Sequence, residues 1–408
     1  MAGINFDDRP ILVFWESTKA CLLACKHCRA EAMDALPGQL STEEGLRFID
    51  SLAEFGRPYP VLIITGGDVM MRSDVWELVN HANSLGIPVG LAPSVTPNLS
   101  DENIRRMKES GVKVVSISLD AASGAIHDKI RGVENHFEQT VKALYALTQA
   151  GITVQVNTVV MPENVHELPA LVKILKETGV SIWEVFFLVS VGRGKAAPEL
   201  SPAECQDVAH FLYDASRYDL IVRTVEAPYF RCVVNARNAN DVDHADSADS
   251  ADDANPANLA NLANSAADSA DDIAAAYGLG SLYRQLSTEL RERMGDPRTQ
   301  ARSQSSKTRD GKGIIFVSHD GDVYPSGFLP IPLGNIREKP LATIYRENDL
   351  LRDIRSAHFH GPCGTCEYRE DCGGSRSRSF AATGDALGSD PACPFPPTHS
   401  GHVPELVR

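Results

Sequence analysis

The sequence predicts an α/β fold built around a parallel sheet. Short runs of consecutive apolar residues recur in the first half of the chain, as at 61–65 and 153–160. Amphipathic segments with a period near 3.6 residues lie between these runs. Continuous apolar strands that alternate with helices are typical of a parallel sheet with right-handed crossovers. At 408 residues, the chain is long enough for one large domain and a smaller one.

Six strand–helix units can be placed in order. The strands are predicted at residues 11–15, 61–65, 88–91, 112–120, 153–160 and 182–189. The helices that follow them are predicted at residues 41–52, 74–84, 101–109, 136–150, 165–177 and 202–215. Ser41 and Glu44 stand three residues apart at the start of the first helix, which is the spacing of a capping box. An open doubly wound sheet and a barrel both fit this alternation.

The composition changes abruptly over residues 236–276, where Ala, Asp, Asn and Ser dominate. Nine Asp against the single base Arg237 contribute −8 of the net charge of −15. Because large apolar side chains are almost absent, we expect a disordered spacer, with an acidic interaction tail as the alternative. The predicted domains are therefore residues 1–235, a low-complexity insertion with a short helical connector (281–294) at 236–304, and residues 305–408.

The overall charge and the apolar pattern exclude several classes of protein. A net charge of −15 argues against a nucleic-acid partner, because phosphate binding needs clustered Lys and Arg. No apolar run approaches the roughly 20 residues of a membrane span, and the apolar stretch 11–15 is too short for a signal peptide. Nine cysteines without an export signal favour metal thiolates over disulfides. We therefore expect a cytoplasmic protein without a membrane partner.

Three cysteines near the amino terminus form the pattern Cys21-x-x-x-Cys25-x-x-Cys28. Three thiolates are one short of a closed four-coordinate metal site, but they can hold a [4Fe–4S] cluster with one iron open to a small ligand. A zinc ribbon would need a further ligand nearby, and the next cysteine is Cys205. The spacing therefore favours an iron–sulfur cluster, with a buried structural trio of cysteines as the alternative.

A second set of cysteines follows a predicted β-hairpin at residues 313–325. The set is Cys363-x-x-Cys366, Cys372 and Cys393, which is complete for four-coordinate binding. Both an iron–sulfur cluster and zinc fit this spacing. The two other cysteines, Cys205 and Cys232, lack metal-ligand spacing, and we interpret them as ordinary thiols.

The first motif resembles the cluster motif of radical S-adenosylmethionine (SAM) enzymes, and residues 363–394 resemble their SPASM/twitch carboxy-terminal extension. The branch that the chain resembles contains haem-biosynthesis proteins: coprohaem decarboxylases and haem d1 synthesis enzymes. The resemblance implies a partial (β/α)6 barrel with a small auxiliary-cluster domain, two [4Fe–4S] clusters and SAM. Ser326 and Ser375/Arg376 stand where full SPASM domains carry the cysteines of a further cluster, which implies that the chain holds one auxiliary cluster.

The resemblance also implies which residues contact SAM. They follow the predicted strands or lie in the cysteine loop: Gly66, Gly67, Asp68, Ser118, Asp120, Asn157, Arg193 and His27. Each has a structural alternative. A Gly-Gly pair is also an ordinary turn, an Asp after a strand also caps a helix, and a loop Arg also faces solvent.

The function implied is oxidative modification of a tetrapyrrole, such as propionate decarboxylation, by a 5′-deoxyadenosyl radical. A flavodoxin- or ferredoxin-type donor would supply electrons, and the auxiliary cluster would accept one from the substrate. Arg193, Tyr229 and Arg231 are candidate anchors for an anionic substrate. The alternatives are maturation of a ribosomally made peptide and, from another class, a non-catalytic iron–sulfur electron carrier or redox sensor.

Overall fold

The computed structural model describes residues 4–248, 269–297, 299–303 and 307–395, with the backbone alone for 240–248. Ten strands form one sheet in the order β10-β9-β8-β1-β2-β3-β4-β5-β6-β7. The strands are β1 Leu12–Glu16, β2 Val61–Thr65, β3 Val89–Leu91, β4 Val114–Ser118, β5 Val154–Val160, β6 Ile182–Phe187, β7 Ile221–Val225, β8 Ile314–Val317, β9 Asp322–Tyr324 and β10 Gly334–Asn335. Strands β8 and β1 to β7 are parallel to one another, and β9 and β10 are added antiparallel.

Helices fill most connections between the parallel strands. They are α1 Thr42–Ser51, α2 Val75–Ser84, α3 Asp101–Glu109, α4 Gly124–Arg131, α5 His136–Gln149, α6 Leu168–Glu177, α7 Pro202–Ala215, α8 Phe230–Ala248, α9 Ala270–Tyr277, α10 Ser281–Met294, α11 Leu341–Glu347, α12 Asp349–Arg355, α13 Gly361–Thr365 and α14 Arg376–Thr383. None of the helices in these described ranges is long and apolar enough to span a bilayer.

The two faces of the sheet are buried to different degrees. In β1, Val13 and Trp15 are completely buried in the main core, while Leu12 and Phe14 are partly exposed. The same alternation runs through β2 and β4. One face therefore packs on helix side chains such as Phe48 of α1, and the side chains of the other face are partly exposed.

The predicted elements are largely confirmed. All six predicted strands are present, the hairpin is formed by β8 and β9, and α1 begins with the Ser41–Glu44 capping box. Two features differ from the expectation. Strand β7 extends the parallel series, and β8 pairs in parallel with β1, so the carboxy-terminal segment continues the same sheet.

The expected disordered spacer at residues 236–276 is wrong at both of its ends. Helix α8 continues to Ala248, and α9 begins at Ala270. Ile273 and Ala274 of α9 are buried in the main core. Because the Asp-rich segment carries these few apolar side chains at helical spacing, its end packs against the barrel. The part of the prediction that covers 249–268 lies outside the described residues.

Candidate active site and auxiliary cysteine centre

Cys21, Cys25 and Cys28 lie on one loop between β1 and α1, at the carboxyl end of the parallel strands. Cys25 is buried, and the other two are partly exposed. The loop is closed by its own backbone, because Cys21 N–H donates to Met33 O at 2.9 Å and Cys28 N–H donates to Cys25 O at 3.3 Å. Three thiols are thereby carried on one short, ordered loop.

The Gly-Gly-Asp turn after β2 packs directly on the start of this loop. Gly67 N–H donates to Thr18 O at 2.8 Å, and Asp68 N–H donates to Ala20 O at 2.7 Å. A Cβ atom at Gly66 would lie 2.6 Å from Thr18 O, and one at Gly67 would lie 2.4 Å from Ala20 O. Only glycine allows this approach, so the two glycines fix where the cysteine loop begins.

A second clamp comes from the loop after β6. Arg193 Nε donates to Cys25 O at 2.8 Å, and Arg193 N–H donates to Cys28 O at 3.0 Å. A Cβ at Gly192, whose φ is +53°, would lie 2.4 Å from Arg29 O. Arg193 therefore binds backbone carbonyl groups of the cysteine loop and fastens that loop to the one after β6.

A buried ion pair stands beside Cys25. Arg131 Nη1 lies 3.6 Å from Cys25 Sγ, and Arg131 Nη2 lies 2.7 Å from Asp120 Oδ2. His27 Nε2 lies 2.9 Å from the same carboxylate oxygen, and Val159 N–H donates to the other oxygen at 2.9 Å. Burial opposes ionisation of Asp120, but Arg131 and His27 hold the pKa of this carboxyl well below its usual range. The arrangement keeps a cation at the thiol.

Two neutral histidines support this ion pair in a hydrogen-bond chain. Asp120 N–H donates to His127 Nδ1 at 3.1 Å, which places the imidazole proton of His127 on Nε2. That nitrogen therefore donates to His136 Nδ1 at 2.9 Å, and His136 Nε2 donates to Val95 O at 3.0 Å. Burial and the neighbouring Arg131 lower the pKa of His127 to about 3, so the chain contains neutral rings at neutral pH.

Asp68 is also a buried supporting residue. Its carboxylate accepts from Met70 N–H at 3.1 Å, Ser94 N–H at 3.3 Å and Thr96 Oγ1 at 2.8 Å. Burial raises the pKa of Asp68, while these donors oppose the rise. Ser94 Oγ lies 3.7 Å from Cys21 Sγ, so Asp68 positions the loop after β3 against the first cysteine.

A polar row crosses the more open face of the sheet. Ser118, Asn157, Glu184 and Arg223 occupy matching positions on β4, β5, β6 and β7. Gln155 links them, because its amide nitrogen donates to Asn157 Oδ1 at 2.8 Å and to Glu184 Oε2 at 2.9 Å. The row begins at the carboxyl end of β4 and continues below the strand ends towards β7.

The four carboxy-terminal cysteines converge on one centre. Cys366 interacts electrostatically with Cys363 and Cys372, and Cys393 does so with the same two residues. Cys205 and Cys232, the two cysteines outside the motifs, are both buried free thiols. Their interpretation as ordinary thiols stays a prediction.

Arginines surround this centre. Arg376 is completely buried, and its Nη2 lies 3.8 Å from Cys363 Sγ. Arg309 Nη1 donates to Cys372 O at 3.2 Å and to Arg369 O at 2.9 Å. Guanidinium groups beside thiolates compensate their negative charge.

The two positions noted for missing cysteines lie together in a cluster of oxygen side chains. Ser326 Oγ lies 3.3 Å from Ser377 Oγ, which donates to Asp310 Oδ2 at 2.7 Å. Ser375 Oγ donates to Glu226 Oε2. Burial and the neighbouring Asp310 raise the pKa of Glu226 well above its usual value. This region is thus filled by hydroxyl and carboxyl groups, which suits hydrogen bonding and not a thiolate cluster.

Both cysteine centres fit the iron–sulfur groups expected of them. All nine cysteines are within the described ranges, and each is a free thiol. In that part of the chain no three Cys, His, Asp or Glu side chains stand in ligating geometry. The donor chemistry nonetheless suits an anionic cluster at each centre, because three or four thiols are combined with buried guanidinium groups.

Comparison with known proteins decides the family. Residues 15–175 match the radical SAM superfamily, and residues 309–372 match the SPASM iron–sulfur cluster-binding domain. An AdoMet-dependent heme synthase of Nitratidesulfovibrio vulgaris is 33% identical over 391 residues, covering 95% of this chain and 92% of that protein. An AdoMet-dependent heme synthase of Methanosarcina barkeri is 31% identical over 400 residues, covering 97% and 99%. The chain belongs to the radical SAM superfamily.

The fold agrees with this assignment. Streptococcus suis SuiB bound to S-adenosylmethionine superposes with a TM-score of 0.62 at 14% identity, covering 95% of this chain and 78% of that one. The predicted fold class, a radical SAM partial barrel with a SPASM-type extension, is confirmed. The protein is a SAM-dependent radical enzyme. Its cofactors are [4Fe–4S] clusters and SAM.

The residues predicted to contact SAM fall into two groups in this radical SAM fold. Ser118 and Asn157 lie on the more open face of the sheet, at the end of β4 and beside it on β5. The others have partners that support the cysteine loop or the ion pair beside it: Gly66, Gly67, Asp68, His27, Asp120 and Arg193. Contact with SAM stays a prediction for all eight.

The three expected substrate anchors all have partners within the protein, and their contact with substrate stays a prediction. Arg193 binds the cysteine loop, and Arg231 Nη1 donates to Asp371 O at 2.7 Å. Tyr229 is completely buried and packs on Phe187 with ring centroids 5.8 Å apart. From the sequence, an arginine in a loop is expected to be able to bind an anion. In the structure, backbone carbonyl oxygens of the cysteine loops accept hydrogen bonds from these guanidinium groups.

Sequence reasoning missed Arg131 and Arg223. Arg131 directly precedes Gly132, a helix C-cap with φ +74°, and this was a weak signal that its helix ends at the site. Arg223 lies in β7, an alternating apolar and polar segment that we had not predicted as a strand.

Proposed function

We propose that this radical SAM enzyme decarboxylates propionate side chains of an iron–tetrapyrrole to vinyl groups. Cys21, Cys25 and Cys28 hold the SAM-binding [4Fe–4S] cluster in this proposal. Cys363, Cys366, Cys372 and Cys393 hold a single auxiliary [4Fe–4S] cluster.

The observation that carries the proposal is the near-complete match to two heme synthases. The alignments cover 95% and 97% of this chain, and so include both cysteine centres. The oxygen-lined cluster around Ser326 and Ser377 supports one auxiliary cluster, because it fills the region where a further set of thiols would be needed.

The proposed reaction is balanced by an internal electron acceptor. When bound, the reduced cluster and SAM supply a 5′-deoxyadenosyl radical. The propionate side chain would lose one hydrogen atom to that radical, then CO2 and one electron, and so become a vinyl group. A cluster held by Cys363, Cys366, Cys372 and Cys393 would supply the acceptor for that electron. The step needs no general base.

The chain's own residues bind and orient the reactants in this proposal. Gly67 and Arg193 fix the cysteine loop, and Arg131 keeps positive charge beside Cys25. Ser118, at the end of β4, and Asn157, beside it within β5, offer polar contacts to SAM.

Arg223 is our candidate anchor for a propionate. Its Nε is buried and has no hydrogen-bond partner among the residues that the structure describes. Its Nη1 makes one long hydrogen bond of 3.4 Å to Gln155 Oε1. A guanidinium with donors to spare, on the more open face of the sheet, suits bidentate binding of a carboxylate.

The test is anaerobic turnover of reconstituted protein with SAM and a strong reductant. Iron-coproporphyrin should accelerate 5′-deoxyadenosine release and lose CO2 and two hydrogens per neutral propionic side chain, as read by mass spectrometry. Cys363→Ala should still release 5′-deoxyadenosine but give little product, whereas Cys205→Ala should behave as the parent.

Other outcomes separate the parts of the proposal. If 5′-deoxyadenosine forms but no tetrapyrrole accelerates it, the substrate is wrong and peptide maturation becomes the better assignment. If Cys363→Ala gives full product, the auxiliary centre is not the electron acceptor. We place the reaction in the cytoplasm, with a flavodoxin- or ferredoxin-type protein as electron donor.

A further inference from the structure

An aromatic group lies on the more open face of the sheet, beside the cysteine loop. Arg29 directly follows Cys28, and its guanidinium carbon lies 4.5 Å from the centroid of the Phe316 ring of β8. The same carbon lies 5.9 Å from the centroid of the Phe328 ring, which is itself 6.0 Å from that of Phe186 on β6. Phe186 and Phe328 are both partly exposed. The group therefore offers aromatic surface to a ligand, next to the loop that carries the three thiols.

The contact between Phe186 and Phe328 joins two sides of the sheet that its strand order keeps apart. Phe328 follows β9, which pairs with β8, and five strands lie between β8 and β6. On β6, Glu184 and Phe186 are the partly exposed residues, while Trp183 and Val185 face the core. The sheet therefore curves until its two sides approach, and the two rings face the space that it encloses.

The turn that carries Phe328 is fixed by its neighbours. Phe328 N–H donates to Ser326 Oγ at 3.2 Å, and Leu329 is completely buried in a separate apolar cluster. A Cβ atom at Gly327 would lie 2.9 Å from Arg29 Nε, so a residue without a side chain lets the turn approach the guanidinium. Because the chain on both sides of Phe328 is held, little conformational entropy is lost when a ligand packs on its ring.

A cationic side chain lies one step along the sheet from the ring pair. Arg223 is paired with Glu184 in the register of β6 and β7, and Glu184 precedes Phe186 by two residues on the same face. Two residues of a strand span about 7 Å. Aromatic faces stack on conjugated rings, and guanidinium groups bind carboxylates. The combination suits a flat conjugated ligand that carries carboxylate side chains.

We propose that Phe186 and Phe328 are specificity-determining residues that bind the conjugated ring of the tetrapyrrole by stacking. The inference rests on the proposed function, which supplies the substrate class, and it adds a contact to the ring itself. Arg223 then binds a propionate at the edge of the same ring. Stacking does not depend on the charge of the propionates, whereas the contact of Arg223 does. The two kinds of contact can therefore be tested separately.

The test is a spectroscopic titration of the anaerobically reconstituted protein with iron-coproporphyrin and with its methyl ester. Phe186→Leu and Phe328→Leu should each weaken binding of both ligands by about three- to tenfold, because an apolar side chain replaces an aromatic one. Phe328→Trp should retain the affinity of the parent. The matched control is Tyr59→Leu. Tyr59 also packs on an arginine, with the Arg57 guanidinium carbon 4.8 Å from its ring centroid, but it precedes β2 at the other end of the strands. This control should bind both ligands as the parent does.

Other results would overturn the inference. Parent affinity in both leucine variants would show that the two rings have a packing role only. Equal weakening in Phe328→Trp and Phe328→Leu would show that aromatic character at this position is not used. Weakening for iron-coproporphyrin alone would mean that these residues act on the carboxylates and not on the ring. If the parent protein binds neither ligand, the proposed function fails first and the inference fails with it, so the two failures are distinguishable.

Discussion

Replacing Asp120 by Asn is the sharpest test of the electrostatics beside Cys25. Asp120 is completely buried and lies 2.7 Å from Arg131 and 2.9 Å from His27. Asn keeps the size of the side chain and an acceptor for Val159 N–H, but it removes the negative charge and places an amide NH2 where Oδ2 faces Arg131 and His27. Arg131 is then left as a buried cation without its counterion. Breaking a buried pair in this way costs about 3–5 kcal/mol of unfolding free energy.

The measurement is urea unfolding of the cluster-free protein, followed by the fluorescence of the buried Trp15 and Trp183. Cluster-free protein is used so that loss of iron does not contribute to the change. The matched control is Glu163→Gln, which breaks the solvent-exposed pair to Lys129 on the same helix as Arg131. An exposed pair of this kind contributes at most about 1 kcal/mol.

A double variant separates charge from packing. Asp120→Asn combined with Arg131→Met removes both charges, and it should recover much of the stability lost in Asp120→Asn alone. If Asp120→Asn destabilises no more than Glu163→Gln, or if the double variant is additive, the buried ion pair is not what stabilises this region.

Three further predictions concern the cluster ligands, the segment 249–268 and the buried His210. Cys21/Cys25/Cys28→Ala should remove about half of the iron of the reconstituted protein, since two clusters of equal iron content are proposed; unchanged iron would refute the ligand set. Replacing residues 249–268 by a Gly/Ser linker of equal length should change the free energy of unfolding by less than about 0.5 kcal/mol. Ile273→Ala in the core should lower it by about 2–5 kcal/mol. Equal changes in melting temperature for the two variants would contradict this prediction. Burial lowers the pKa of His210 to about 3, so between about pH 6.5 and 3 the unfolded state binds a proton that the folded state does not, and the free energy of unfolding falls as the pH drops. In denaturant titrations, His210→Gln should reduce the dependence of that free energy on pH by about 1.4 kcal/mol per pH unit. An unchanged dependence would refute this prediction.

The sequence was sufficient for most of the barrel because each unit is specified locally. Ser41 and Glu44 set the start of α1, and the bounds of β2, α3 and α7 agree with the prediction to the residue. Strand β7 was missed because Arg223 interrupts its apolar pattern. The parallel pairing of β8 with β1 is a contact between the two ends of the chain, and no local pattern encodes it.

At the site, only the residues that belong to the cysteine spacing motifs could be predicted from the sequence. The cysteine motifs identify their own ligands because those residues are close in sequence. Which side chains surround the thiols depends on the fold. Arg131 reaches Cys25 from the end of α4, and Arg231 reaches Asp371 O from the first turn of α8. The Asp120 carboxylate was expected to contact a ligand, but its nearest charges are inside the protein.

The partners of the arginines distinguish those beside the cysteine loops from the one on a sheet strand. A loop that turns sharply enough to present several thiols cannot also form regular structure, so it leaves backbone carbonyls unpaired. In this protein Arg193 binds those of the amino-terminal loop, and Arg231 and Arg309 bind those of the carboxy-terminal loop. An arginine next to a cysteine loop therefore donates hydrogen bonds to the loop carbonyls, and this structural role alone accounts for its position. An arginine on a sheet strand, where the backbone is already paired, has no such carbonyl to bind. For that reason Arg223 is the residue to change first in a search for the contact to the substrate carboxylate. In a spectroscopic titration, Arg223→Met should weaken binding of a propionate-bearing tetrapyrrole and leave binding of its methyl ester unchanged. Equal weakening of both would rule out a carboxylate contact.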